Sequence, residues 1–397
     1  MRIYLRQNVW DSAIKRLEYI FNEFENVIIC TSGGKDSTIT KELALIVAEK
    51  MGRLPVKMIF IDQEVEYRHV IEYMRRAMAD PRIEPIWIQC PIKMPNSLSA
   101  SDPIHTSWEP GKDWMRPKEN FSIKENVFGV DNWNSNGNEI FTGILKHYFP
   151  DQKSCYLAGV RAEESPARFA GLTTGNTYKH ITYGKALNKK LGHYTFYPLY
   201  DWCLSDVWKA IHDNNWDYCG IYDELYRYGV APHRMRVSSL HHETAVHSLF
   251  FLQEIEYDTW EAMVKRLGGI NQASHMEKTE MLMIDDLPHM FKDWREFRDY
   301  LSENLILDEE TKEIYRVKHK RMDKYYADML FPEDLIKRQI RGILVNDYKF
   351  VKLSNFLASP PMIAYLEFKR GKLAGRPRTV ANMKYIKPEY RGGVTII

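Results

Sequence analysis

The stretch that most restricts the fold is Val27-Ile28-Ile29-Cys30, followed at once by Thr31-Ser32-Gly33-Gly34-Lys35-Asp36-Ser37-Thr38. Apolar residues Ile39, Leu43, Ile46 and Val47 then recur at i, i+4, i+7 and i+8, the spacing of an amphipathic helix. A short buried strand running through glycines into a helix is a building unit of a parallel α/β sheet. Gly33 and Gly34 allow a sharp turn that brings backbone amides close to an anion. The helix that follows contributes free N-terminal amides and the positive end of its dipole. Ser32, Ser37 and Thr38 offer hydroxyls, Lys35 a point charge, and Asp36 an oxygen ligand for Mg²⁺. The loop differs from the Walker type, in which four residues separate the glycine from the Gly-Lys pair. The competing reading is a surface turn that caps a helix.

The same alternation continues. Val56 to Ile61 predicts a second strand ending at Asp62-Gln63-Glu64, and Tyr67, Val70, Ile71, Met74 and Met78 mark a second amphipathic helix. Strands are expected at Ile86–Gln89, Cys155–Val160 and His193–Pro198, with a helix from Ser205 to His212. The expected fold is therefore α/β, a parallel twisted sheet with flanking helices, plus a mainly helical C-terminal domain. The boundaries read as 1–235 for the nucleotide-binding domain, 236–350 for the helical domain and 351–397 for a basic segment. Helices are expected over Tyr315–Leu330 and Pro332–Val345. Residues 91–150, rich in Trp, Asn, Pro and Gly, form a long insertion, expected to be a lid, a small subdomain or a docking surface for a protein partner.

Three features narrow the chemistry. Gly159-Val-Arg161-Ala-Glu-Glu-Ser165-Pro-Ala-Arg168 sits where a strand ends and a helix begins, the location favoured for ligands in open α/β sheets. Tyr197-Pro-Leu-Tyr-Asp-Trp202 leads to Asp206-Val-Trp208, and Tyr222-Asp-Glu-Leu-Tyr226 is followed by Gly229. With the Ser-Gly-Gly-Lys-Asp-Ser loop, these resemble the PP-loop adenine-nucleotide α-hydrolases, and among them the phosphoadenosine phosphosulfate (PAPS) reductase-like branch. Trp108-Glu-Pro, Trp114-Met-Arg116, Met235-Arg236 and Thr259-Trp260 leading to Arg266-Leu-Gly-Gly269 further resemble a subgroup that includes the immunoglobulin-binding regulator A of prophages. The resemblance implies ATP or PAPS as the nucleotide, with the loop gripping its anionic end and attack on the α-phosphate of ATP. Implied site residues are Lys35, Arg161 and Arg168 for catalysis and Ser32, Gly33, Gly34, Lys35, Asp36, Ser37, Thr38, Asp62 and Arg161 for nucleotide binding, with Asp36 holding Mg²⁺. Asp62 reads equally as a ribose or metal contact and as a helix cap. Trp202 and Trp208 are read chiefly as core.

The chain departs from reductases that act through a cysteine near the C-terminus, since no cysteine follows Cys219. An intact Gly-Gly-Lys-Asp core without that nucleophile favours ATP and adenylation of an acceptor, in sulfur transfer or nucleic-acid modification. The alternatives are sulfo transfer from PAPS and a nucleotide-sensing regulator that binds nucleic acid. Five scattered cysteines without CxxC spacing argue against disulfides and a zinc knuckle and suit a cytoplasmic protein. No stretch has the roughly 18 consecutive apolar residues of a membrane span. His241-His242-Glu243 and His247 lack the i, i+4 spacing of a zinc helix and read as ordinary helix. The net charge of +2 divides unevenly: residues 351–397 carry nine Lys and Arg against two acids, a segment charge of +7. Gly375-Arg-Pro-Arg378 lies within it. That segment is the expected contact to nucleic acid, the alternative being a solvated tail.

Overall fold

The computed structural model describes residues 6–98, 104–130, 138–173, 177–237, 239–242, 246–267, 286–306, 309–325, 332–344, 347 and 350. The basic segment 351–397, Glu243 and Gly269 lie outside them. Among the described residues, those within 1–94, 106–240 and 248–266 form one compact unit, and those within 95–105, 241–247 and 267–397 a second.

The first unit is built on seven strands: β1 (Asn26–Thr31), β2 (Val56–Ile61), β3 (Ile83–Ile88), β4 (Ser154–Leu157), β5 (Thr177–Tyr178), β6 (Ile181–Asn188) and β7 (His193–Phe196). Their order is β3-β2-β1-β4-β7-β6-β5. The first five strands in that order run parallel, whereas β6 and β5 close the edge antiparallel. The central strand explains itself: Val27, Ile28 and Ile29 are buried, as a parallel strand covered on both faces requires. Ile28 faces Lys57 of β2 on one side and Tyr156 of β4 on the other.

Helices α1 (Val9–Glu23), α2 (Lys35–Lys50) and α3 (Arg68–Met78) come from the first part of the chain. In α1, Asn8 caps the N-terminus by accepting from the Asp11 amide at 2.7 Å, and Ala13, Leu17, Ile20 and Phe21 form its buried stripe. The described residues of 91–150 carry more regular structure than their sequence predicts. They contain strands Ile92–Pro95 and Ile104–Ser107 and helix α4 (Asn138–Tyr148). Ile140, Ile144 and Leu145 of α4 join Ile28, Ile59 and Tyr156 in one core cluster. Helices α5 (Pro166–Thr173), α6 (Leu204–Asp213) and α7 (Ile221–Arg227) follow, then α8 (Val246–Ile255) and α9 (Tyr257–Arg266).

The second unit includes three helices, α10 (Trp294–Leu305), α11 (Glu309–Tyr325) and α12 (Pro332–Leu344). Trp294, Phe297, Leu301, Tyr315, Ile336 and Ile340 form its core. Buried Arg298 on α10 reaches Asp323 at 2.8 and 3.0 Å and Gln339 at 2.7 Å, so its charge is paired inside the bundle. Asp293 caps α10 by accepting from the Glu296 amide at 2.9 Å, and this bond lowers the pKa of its carboxyl. A group with a depressed pKa stabilises the fold above its unfolded pKa and stops doing so as pH falls through the carboxylate range. Asp293→Ala should therefore cost about 1 kcal/mol at pH 7, with the difference from wild type shrinking in strong acid. Urea unfolding at both pH values reads this directly.

Candidate functional site

The turn between β1 and α2 sets the site. Gly33 has φ +74°, and a Cβ there would lie 2.9 Å from Val70 Cγ1, so conformation and space both exclude a side chain. The turn closes on its own hydroxyls. Ser37 Oγ donates to the Gly34 carbonyl at 2.8 Å and Thr38 Oγ1 to the same oxygen at 3.2 Å, while the Gly33 amide donates to Thr31 Oγ1 at 3.2 Å. Thr38 also pairs with the Tyr73 hydroxyl of α3 at 2.8 Å. At the start of α2 the Lys35 amide donates to the Tyr222 hydroxyl at 3.0 Å. Lys35 Nζ donates to the Met235 carbonyl at 3.0 Å and lies 5.0 Å from the centre of the Tyr222 ring. Burial of Lys35 pulls its pKa down, partly opposed by Asp36.

The end of β4 meets this turn at Gly159. A Cβ on Gly159 would stand 2.5 Å from the Asp36 carbonyl carbon, so only glycine lets the two backbones pass. Two residues on, Arg161 is 4% exposed and its Nε donates to Asp36 Oδ1. Its Nη1 reaches Glu163 Oε2 at 3.2 Å and the Trp202 carbonyl at 3.4 Å. The structure thus brings Ser32, Gly33, Gly34, Lys35, Asp36, Ser37, Thr38 and Arg161 into one cluster. Arg168 is placed differently. Its guanidinium is 54% exposed and lies 3.8 Å from Glu164, one turn back.

Asp62 at the end of β2 is 2% exposed. One of its oxygens accepts from Trp87 Nε1 at 2.9 Å and Gln89 Nε2 at 2.8 Å. The other accepts from the Glu64 amide at 3.0 Å and from Arg116. Each oxygen therefore already holds two donors, the usual capacity of a carboxylate. Neither expected role matches: Asp62 is an interior clamp on the insertion, with its lone pairs turned to protein. Glu64 works alongside it from φ +70°. Its buried carboxylate accepts from the Trp108 amide at 2.6 Å and from Arg266 Nε of α9 at 2.7 Å. Trp108, Arg116 and Arg266, scattered along the sequence, converge on these two acids.

The remaining expectations resolve individually. Trp202 is buried, with its indole donating to the Val9 carbonyl at 3.1 Å. Trp208 packs edge-on against Tyr222 at 5.3 Å. His241 and His242 lie in a turn and a bend, not in the helix their sequence suggested, with His241 buried and His242 exposed; among the described residues no group of three or more His, Cys, Asp or Glu is arranged to hold a metal ion. Burial raises the thiols of Cys30 and Cys219 to about 12 and that of Cys90 to about 11. Tyr222 and Tyr73 are the contacts to the loop that sequence reasoning missed. Tyr222 lay in plain view within Tyr222-Asp-Glu-Leu-Tyr226, but its bond to Lys35 spans 187 residues.

Glu66, two residues past Glu64, is buried and accepts from Ser239 Oγ at 2.7 Å. Burial raises its carboxyl to about 8, against the smaller opposing effect of Ser239. A carboxyl raised in the folded state gives its full contribution below its unfolded pKa, and this is lost as pH rises through about 8. Wild type should therefore lose stability from mildly acidic to mildly alkaline solution, and Glu66→Gln should lose less. Urea titrations across that range that gave parallel curves for both proteins would remove Glu66 as the source.

With this geometry in hand, the chain can be compared with known proteins. A model described as phosphoadenosine phosphosulfate reductase domain matches residues 26–229, and one described as a domain of unknown function (DUF3440) matches residues 229–353. The uncharacterized protein YbdN of Escherichia coli (strain K12) is 28% identical over 276 residues, 68% of each chain. Among solved structures, Candida glabrata FMN adenylyltransferase in complex with FMN and an ATP analog is 14% identical with a TM-score of 0.34, covering 56% of this chain and 63% of that one. The chain thus spans less than two thirds of that enzyme's length. PAPS reductase from Candida auris, a phosphate complex, is 16% identical with a TM-score of 0.32, covering 61% of this chain and 98% of that one. No helix among the described residues is long and apolar enough to cross a membrane. The first model spans half of the chain and takes in the glycine turn, Gly159 and Arg161, so the protein belongs to the phosphoadenosine phosphosulfate reductase domain family.

Proposed function

We propose that the chain binds ATP with Mg²⁺ on the β1–α2 turn and cleaves it between the α- and β-phosphates, transferring the adenylyl group to an acceptor. The observation that carries this reading is the convergence of two buried cations, Lys35 and Arg161, on a helix N-terminus that also presents Asp36. Dipole, amides and cations all favour an anion there. In the step itself the acceptor's nucleophilic atom bonds to the α-phosphorus and the bond to the bridging α–β oxygen breaks. Pyrophosphate leaves, and the acceptor's proton passes to solvent. Lys35, the loop amides and Arg161 stabilise the charge that gathers on the leaving group.

Asp36 fits the metal. Mg²⁺ is usually held by one or two carboxylates together with nucleotide phosphates and water, and Asp36 supplies one carboxylate at the turn, its Oδ2 lying 3.9 Å from Lys35 Nζ. The ion would neutralise phosphate charge. The thiols support transfer of adenylate over reduction, because Cys219 sits buried with its pKa pushed up to about 12 and is a poor nucleophile at neutral pH. Membership of the PAPS reductase domain family favours a second reading, with PAPS bound at the same cluster as a sulfo donor. The insertion is a candidate partner surface in either case, since it leaves Trp114, Phe121 and Val127 exposed.

Calorimetry with ATP–Mg²⁺ and with PAPS separates the readings: ATP should bind more tightly, and a clear preference for PAPS would overturn the adenylation proposal. Lys35→Ala and Arg161→Ala should each lose about 2–4 kcal/mol of transition-state stabilisation, measured as pyrophosphate release. Full turnover by both variants would move the site elsewhere. Cys219→Ser should retain turnover if it folds, and its selective loss in a folded protein would restore the cysteine-dependent reduction.

A further inference from the structure

A cavity of about 770 Å³ lies beside the Arg161 segment, with Ala162 and Glu163 in its lining. It lies between the N-terminal turn of α1, helix α5, and the stretch from Tyr200 to Cys203 that follows β7. Arg161 links it to the glycine turn. Its guanidinium holds Asp36 of the glycine turn and also bonds Glu163 and the Trp202 carbonyl, and both Glu163 and Trp202 line the cavity. The cavity and the nucleotide cluster therefore adjoin through the contacts of a single side chain.

The lining defines the kind of molecule it suits. Val9, Phe169, Leu172, Tyr200 and Trp202 supply apolar wall, and Phe169 is 57% exposed. Charged groups in the lining are mostly engaged with protein. Arg16 makes a two-pronged pair with Asp201 at 2.7 and 2.5 Å and lies over the Tyr200 ring at 4.6 Å. Glu163 accepts from the Leu204 amide at 2.7 Å in addition to Arg161, and Asp206 accepts from the Cys203 amide at 2.7 Å. Lys15 lies exposed among the lining residues. Paired charges over apolar walls favour an uncharged ligand with a flat or branched apolar body and few polar groups. They do not suit a polyanion, which needs unpaired cations.

We propose that this cavity binds the acceptor of the reaction, a small uncharged organic molecule with an aromatic or branched apolar body. The assignment rests on the adenylation reading above, because it gives the second substrate a place adjoining the first. The test is saturation-transfer NMR on the full chain with indole as the neutral probe and benzoate as an anion of similar size. Parallel calorimetry follows ATP–Mg²⁺. Ser12→Trp fills the cavity from α1, and Phe169→Ala, at an exposed position, removes apolar wall. Indole should bind wild type better than benzoate does, lose its signal in Ser12→Trp and weaken in Phe169→Ala, while ATP affinity is unchanged in both. Absence of indole binding, a preference for benzoate, or an indole signal that survives both substitutions would overturn the cavity as a neutral-ligand site. If wild type bound indole with this variant pattern but not ATP, the adenylation reading would fail and with it the acceptor role. ATP binding without indole binding would sink the cavity alone.

Discussion

The close passage of two backbones, β4's exit at Gly159 over the first turn of α2 at Asp36, is the contact on which the site depends. It brings the ends of two parallel strands within one side chain's reach, and Arg161 closes the remaining gap to Asp36. Brought to this edge by strand order, the segments after β1, β2, β4 and β7 gather where open α/β sheets place their ligands. Gly33 completes the geometry by lying against Val70 of α3. The loop is thus pressed from two sides by neighbouring elements, and its shape is fixed by packing as much as by its own hydrogen bonds.

A second set of constraints comes from buried acids. Isolated charges inside a protein are costly, and here each of three carboxylates gathers donors from distant parts of the chain. Asp62 and Glu64 bind Trp108, Arg116 and Arg266. Glu256 accepts from the Arg68 and His69 amides at 2.7 and 3.1 Å and from Thr259 Oγ1 at 2.7 Å, which fastens the start of α9 to the start of α3. These acids do the work of caps and clamps. They explain why Trp108 and Arg116 of the insertion and Arg266 of α9 belong to the same compact unit as the sheet despite their separation in sequence.

The parallel half of the sheet was legible because its strands are unbroken apolar runs: Val56–Ile61 has the bounds expected for it, and β1 differs by a residue at each end. The antiparallel edge was not. Ile181–Asn188 reads ITYGKALN, with a glycine and a lysine where a buried strand would carry large apolar residues, and its place is set by pairing with β7 on one side and β5 on the other. Helix α4 was hidden within a stretch whose composition suggests a loop. At the site, the local elements of the glycine turn could be read from adjacent residues. Asp62 could not, since what it binds is settled by Trp87, Gln89 and Arg116, all at least 25 residues away. Arg168 shows the opposite case: the resemblance grouped it with Arg161, but a short 3₁₀ turn at Ala162–Glu164 lies between them and the Arg168 guanidinium lies near Glu164.

The bond from Lys35 to the Met235 carbonyl has a thermodynamic corollary. The Lys35 ammonium carries three N–H donors, so where an incoming anion displaces the Met235 carbonyl, the net gain is the difference between two charge-assisted contacts and is smaller than either alone. The observed affinity of the turn is then set jointly by the loop and by the backbone at Met235, and a change that weakens the latter acts as a tighter binding site without touching the former. Occupancy and release of the Met235 segment become two readings of a single equilibrium, linked with equal strength in both directions.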